Sequence, residues 1–187
     1  MENKFEVYSK LAVGELTDVF SKIKNQDVEP LLEAIEQHKR IFTLGAGREG
    51  ISTRAFSMRL MHLGKDVHWA WDDTTPGISA GDLFICACGS ATVGHEVYMC
   101  KRAKEAGAKL LLITASDNGE LNQIADIVVK IPAEAYLASG DFVKSNQMMG
   151  NLFEQALYVF FDAIVMTLAD RMSITKEEME TRHRNIE

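Results

Sequence analysis

Two stretches of this sequence, Gly45-Ala-Gly-Arg-Glu-Gly50 and Gly89-Ser-Ala-Thr-Val-Gly94, each follow a short apolar run (Ile41 to Leu44, Leu83 to Cys88) and lead into a helical pattern. At the end of a buried parallel strand, such a loop aims backbone N–H groups and the positive end of the next helix at one point. An anionic group fits there, so a phosphate-bearing ligand is the first expectation. Ser90 and Thr92 add hydroxyl donors beside the helix start at Gly94, where an ordinary N-cap is the competing role. Arg48 brings a cation to the first loop, or else pairs with Glu49 or another acid.

Glu154 opens an otherwise apolar helix, where desolvation raises a carboxyl pKa and the helix dipole lowers it. A carboxylate tuned in this way can serve as the base that moves a proton between adjacent carbons of a sugar; an acid that merely stabilises a helix N-terminus has the same pattern. His183 lies in a C-terminal segment able to reach a neighbouring subunit, or is a solvated histidine on a terminal helix. His62 ends the helix that begins near Gly50, roughly 18 Å from its start at about 1.5 Å per residue, and is expected to cap the far end. Gly45, Gly47 and Gly50 also satisfy Gly-x-Gly-x-x-Gly, with Asp72 after the next strand, which keeps a dinucleotide-binding enzyme as an alternative.

The elements that must position these residues are legible along the chain. With 187 residues, 47% hydrophobic and 25% charged, it is expected to be one domain with a substantial core, spanning 1–187. A net charge of −7 opposes nonspecific binding to nucleic acid or an anionic membrane. Glu2 and Lys4 precede no apolar leader, and Asp162 interrupts the apolar segment Ala156 to Ala169, so a cytoplasmic protein with no membrane span is expected. Cys86, Cys88 and Cys100 show no metal-ligand spacing and read as core residues; the five histidines form no His-x-x-x-His pair, and no metal is expected.

Apolar spacing from Phe5 to Ile23 predicts a long first helix, and a second is expected from near Pro30 to Lys39. Strands then alternate with helices: strand 41–45, helix 50–63, strands 67–71 and 83–88, helix 94–106, strand 109–114, short helix 119–125 and strand 127–131. Such alternation argues for a parallel sheet covered on both faces. Gly64 and Gly107 stand where helix C-caps belong. Residues 132–149 read as a long loop able to close over a site, followed by a helix over 150–171 that is apolar nearly all round and therefore buried. Thr175-Lys-Glu-Glu178 is a capping box, predicting a last helix that runs to the C-terminus.

With these residues in view, the sequence resembles the 6-phospho-3-hexuloisomerases of the sugar isomerase (SIS) group. The resemblance is carried by Gly45-Ala-Gly-Arg48, Ala55-Phe-Ser-Met-Arg-Leu-Met-His-Leu-Gly64, Thr74-Thr-Pro76, Gly81-Asp-Leu83, Met149-Gly150, Leu152-Phe-Glu-Gln155, and Arg182-His183 with Asn185. It implies an α/β three-layer sandwich with a five-stranded parallel sheet of the flavodoxin-like kind, assembly into homodimers or homotetramers, and no cofactor. The implied activity is interconversion of a 3-hexulose 6-phosphate and fructose 6-phosphate through an enediolate, within carbohydrate metabolism of the ribulose monophosphate type. On this chain, the phosphate-binding residues implied are Gly47, Arg48, Gly89, Ser90, Ala91 and Thr92. The implied base is Glu154, and His183 corresponds to a terminal histidine contributed by an adjacent subunit. Glu49 stands where the family usually has serine, and Val93 where it has threonine. A carboxylate at 49 pointing inward would repel a phosphate dianion by roughly 1 to 4 kcal/mol at about 4 Å. A non-catalytic phosphosugar sensor is thus the second reading.

Overall fold

The computed structural model describes residues 3–186; Glu2, cited above against a leader, lies outside them. Helices α1 (Lys4–Lys22) and α2 (Asn25–Gln37) precede β1 (Arg40–Gly45), α3 (Gly47–His62), β2 (Asp66–Trp69), β3 (Leu83–Ala87) and α4 (Gly94–Glu105). They are followed by β4 (Lys109–Thr114), α5 (Glu120–Ile124), β5 (Ile127–Lys130), α6 (Asn151–Arg171) and α7 (Lys176–Thr181). The strands form one parallel sheet in the order β2-β1-β3-β4-β5, as expected for a doubly covered α/β sandwich. Strand order reverses between β1 and β3, so the loops leaving these two strands flank the crevice where ligands bind in open α/β sheets.

Side-chain alternation sorts the core into two layers. Ile41, Leu83, Ile85, Leu111, Ile113 and Val129 face α1, α2, α3 and α6. Phe42, Leu44, Phe84, Cys86, Leu110 and Leu112 face α4 and α5, and the three cysteines are buried free thiols. Helix α6 is the centre of the thicker layer: nine of its residues, from Leu152 to Leu168, are buried, and Phe161 stacks on Phe56 of α3 with ring centroids 4.1 Å apart. By length and composition α6 could cross a membrane, but half of its apolar window is buried in the sandwich and Asp162 is exposed at its middle.

Three expectations need correction. Helix α2 starts at Asn25 rather than near Pro30, because Asp27 Oδ2 accepts the Lys24 N–H (2.7 Å) and closes a first turn upstream of the proline. The capping box of α7 forms, with Thr175 Oγ1 accepting from Glu178 N (3.2 Å) and Glu178 Oε2 from Thr175 N (2.7 Å), but the helix stops at Thr181. Beyond it, Arg182 turns back to donate to the His62 carbonyl (2.9 Å), so the C-terminal segment docks on the end of α3 of its own chain. Residues 132–149 have no helix, as expected, yet they are strapped down: Glu15 of α1 accepts from Ser145 Oγ (2.6 Å), Asn146 N (2.8 Å) and Gln147 Nε2 (3.0 Å). Held to α1 through residues 145–147, this loop is not a free lid.

Candidate functional site

The glycine fingerprint is explained by close approach of α3 to β1. A Cβ on Gly50 would lie 2.7 Å from the Gly45 carbonyl oxygen, and Gly47 opens α3 with φ +53. This seats the first turn of α3 directly on the end of β1. Successive residues then point about 100° apart around the helix, which sends Arg48 and Glu49 to different neighbours.

Arg48 reaches α6. Its Nε donates to Glu154 Oε2, and one turn later Ser52 Oγ donates to the Glu154 carbonyl oxygen (3.4 Å). The Glu154 side chain is 16% exposed and lines a cavity of about 300 Å³ with Arg48, Ser52, Gln155 and Tyr158. Gln155 is held in turn, donating from Nε2 to Gln147 Oε1 (2.8 Å), a residue of the strapped loop.

Glu49 reaches β3. Its Oε2 accepts the Gly89 N–H at 3.0 Å, so the carboxylate does point into the loop. Gly89 is itself crowded: a Cβ there would lie 2.7 Å from Ala135 Cβ and 3.0 Å from Phe153 Cδ1. The rest of the loop is folded on itself. Ala91 adopts φ 57 and donates its N–H to the Cys88 carbonyl (3.1 Å), while buried Ser90 Oγ accepts from Thr92 Oγ1 (3.1 Å) and, more weakly, Thr92 N (3.4 Å). Neither hydroxyl caps α4; Val93 occupies the N-cap without a side-chain bond, leaving the first amides of α4 for another acceptor.

A residue that sequence reasoning missed completes the picture. Glu96 is fully buried at the third position of α4, and neither carboxylate oxygen completes a hydrogen bond. Burial raises its pKa to about 7, opposed by the nearby Cys88 thiol and Ala46 amide. Burial likewise raises Glu49 to about 8; the Gly89 amide opposes this, while Glu96 and Glu154 add to it. A signal was available: Glu49 and Glu96 hold the same third position in the two helices that follow β1 and β3. Cys88 beside them is pushed up to about 12, first by burial, so it is no nucleophile.

Arg48 and Glu154 thus share one cavity, Gly47 and Arg48 stand on the α3 turn that also sends Glu49 to Gly89, and Ser90, Ala91 and Thr92 continue the loop from Gly89, whereas His183 does not join Arg48 and Glu154 in its own chain. Its ring stacks on His62, centroids 5.4 Å apart, and borders a separate cavity of about 530 Å³ with Arg54, Trp69 and Asp72. Helix α3 separates Arg48 from His62 by 14 residues, about 21 Å. His62 does end α3, but it is buried, and burial, Arg59 and His183 all lower its pKa; it is not an exposed charged cap. Asp72 borders this second cavity and not the one shared by Arg48 and Glu154. Among the described residues no cluster of three His, Cys, Asp or Glu is placed to hold a metal.

A parallel sheet of this order, with a glycine-lined crevice at its reversal and an acid on the helix that closes it, defines a phosphosugar (SIS) domain. No family profile matches the chain, but individual relatives do. It is 42% identical over 177 residues to the 3-hexulose-6-phosphate isomerase of Mycobacterium gastri, covering 95% of this chain and 88% of that one. It is 32% identical to the Bacillus subtilis protein of the same name, covering 94% and 95%. The chain belongs to the 3-hexulose-6-phosphate isomerase family. The fold is shared with a hypothetical protein of Methanococcus jannaschii whose crystal structure infers that molecular function: TM-score 0.84, 24% identity, covering 96% of this chain and 99% of that one.

Proposed function

We propose that this chain interconverts a 3-hexulose 6-phosphate and fructose 6-phosphate, with Glu154 as the base. The observation that carries this reading is that the first turn of α3, beside the strand-order reversal, sends Arg48 to Glu154 and Glu49 to the Gly89 loop. In the proposed reaction, Glu154 takes the proton from C2 of the 3-ketose. The C2–H electron pair forms a C2–C3 double bond and the C3 carbonyl oxygen takes the charge as an enediolate; the O2 proton passes to O3, and return of the carbon-bound proton from Glu154 to C3 leaves the carbonyl at C2 and a hydroxyl at C3. Arg48 is the cation available to the enediolate or phosphate; its pairing with Glu154 keeps the free site neutral, and a substrate that draws the guanidinium away frees the base. Gly47 and the 89–92 loop hold the phosphate together with the open amides of α4. His183 assists from a second copy of the chain, in a homodimer or homotetramer. We place the enzyme in the cytoplasm, in the ribulose monophosphate pathway, without a cofactor.

A coupled assay starting from fructose 6-phosphate tests this. The wild-type chain turns over, and Glu154→Gln loses about 10²- to 10⁴-fold in kcat, the range for a positioned base, while still binding the non-isomerisable analogue glucitol 6-phosphate. Full activity in the variant removes Glu154 from the mechanism. The sensor reading draws support from Glu49 on the Gly89 amide; analogue binding by a wild-type chain that shows no turnover would decide for it.

A further inference from the structure

The Gly89 amide at the end of β3 already has an acceptor. Glu49 Oε2 sits 3.0 Å from it, where a phosphate oxygen would otherwise sit, and Gly89, Ala91 and Thr92 all have their N–H groups engaged within the chain. A phosphate arriving at this loop meets a carboxyl oxygen at contact distance. Two negative groups sharing one amide in a largely buried site repel; a carboxylic acid and a phosphate dianion instead share the acid's proton in a short, charge-assisted bond.

We propose that Glu49 is a phosphate-binding residue, which enters the complex as the neutral acid and donates its O–H to the phosphate, so that ligand binding takes up a proton at Glu49 wherever that group is ionised in the free protein. The inference rests on the phosphate cup proposed above and adds the group that sets which charge state the cup accepts. The proton comes from solvent when Glu49 is ionised in the free protein, and returns there when the ligand leaves.

Among the described residues, the titratable and charged groups facing Glu49 leave it no free cation and favour retention of the proton. Glu96 of α4 and Glu154 of α6 both disfavour its ionisation, and the guanidinium of its neighbour Arg48 is committed to Glu154. The buried Cys88 thiol at the end of β3 is neutral. Only the Gly89 N–H favours the carboxylate, and a dianion beside it outweighs one amide. A pKa of about 8 in the free protein means that Glu49 is largely neutral at pH 7 and largely ionised at about pH 9. Phosphate monoesters have their second pKa near about 6, so the ligand itself takes up no proton in that range.

The test is titration calorimetry of the full chain with glucitol 6-phosphate, in buffers of differing ionisation enthalpy, from about pH 7 to about pH 9. Proton uptake approaching about one per ligand at the alkaline end, falling toward zero at neutral pH, is expected, with affinity weakening up to about tenfold per pH unit above the free pKa. Glu49→Gln, nearly isosteric, should bind with no proton uptake at Glu49 and an affinity flat over the same range; Glu49→Ser is the second variant should the first not fold. Wild-type binding without uptake at high pH, or uptake unchanged in a folded variant, overturns the assignment while leaving the cup intact. No binding by wild type or variant at any pH overturns the cup, and this assignment with it.

Discussion

Arg48 donates from Nε to Glu154 Oε2, tying the first turn of α3 to the first turn of α6 across 106 residues of sequence. The pair is half in solvent on the arginine side, so as a structural link it is worth about 1 kcal/mol or less. Its position at the crevice gives it a different consequence. Arg48→Met should shift Tm by only a few degrees, at roughly 2–4 °C per kcal/mol for a chain of this size, yet lower kcat/KM by about 10- to 100-fold through loss of a charge-assisted bond. Melting curves and kinetics on one preparation check this; a changed Tm with unchanged kcat/KM would make Arg48 purely structural.

Helix α3 is a ruler: His62, on which His183 stacks, lies about 21 Å along its axis from Arg48, the partner of Glu154. If His183 and Glu154 serve one reaction, two chains build the site. Mixing inactive Glu154→Gln and His183→Ala chains after denaturation and refolding should then restore activity, to about a quarter of wild type for random assortment in dimers. No recovery in an assay of the mixed, reassembled oligomers would separate His183 from the reaction.

Glu15 binds Ser145, Asn146 and Gln147, and Gln147 accepts from Gln155 beside Glu154. Burial raises the Glu15 pKa, but the bonds from Asn146, Ser145 and Gln147 together outweigh it and hold the carboxyl below its ordinary value of 4.5. A depressed folded pKa means that this contribution is fully present above pH 4.5 and is lost as pH falls through the folded value. Hydrogen exchange should therefore show the 145–147 amides opening in acid. Glu15→Ala should open them at neutral pH, at a cost of roughly 2–4 kcal/mol.

Glu96 is buried without a completed hydrogen bond and carries a raised pKa of about 7. The unfolded chain ionises this group from about pH 4.5 while the fold retains the proton, so stability falls as pH rises toward 7 and stays lower above it, by roughly 3 kcal/mol at most. Glu96→Gln cannot ionise. Relative to wild type, its Tm should be several degrees better at about pH 8 than at about pH 5, a difference independent of how well the amide packs. Equal effects at both pH values would show that the fold does not hold the Glu96 pKa above that of the unfolded chain.

The alternation of strands and helices, the buried α6, the capping box at Thr175 and the two glycine loops were all legible in residue order, because each reports on interactions within a few residues: periodicity, capping and turn geometry. Local rules also account for the misses. Pro30 read as a helix start because its missing N–H suits a first turn, but Asp27 supplied an earlier cap. The Thr175 box predicted where α7 begins and said nothing of where Arg182 would pull the chain onto His62.

Residue order by itself determined the layered parallel sheet, the reversal crevice and the presence of an acid and an arginine near it. Tertiary structure alone decided the partners. It set Glu49 on the Gly89 amide, Arg48 on Glu154, Glu15 on Ser145 across 130 residues, and His183 at the wrong end of α3 for its own chain. The physical reason is range: hydrophobic period and capping act over one turn, whereas the direction of a side chain on a first helical turn is settled only by which distant backbone or charge packs against that turn.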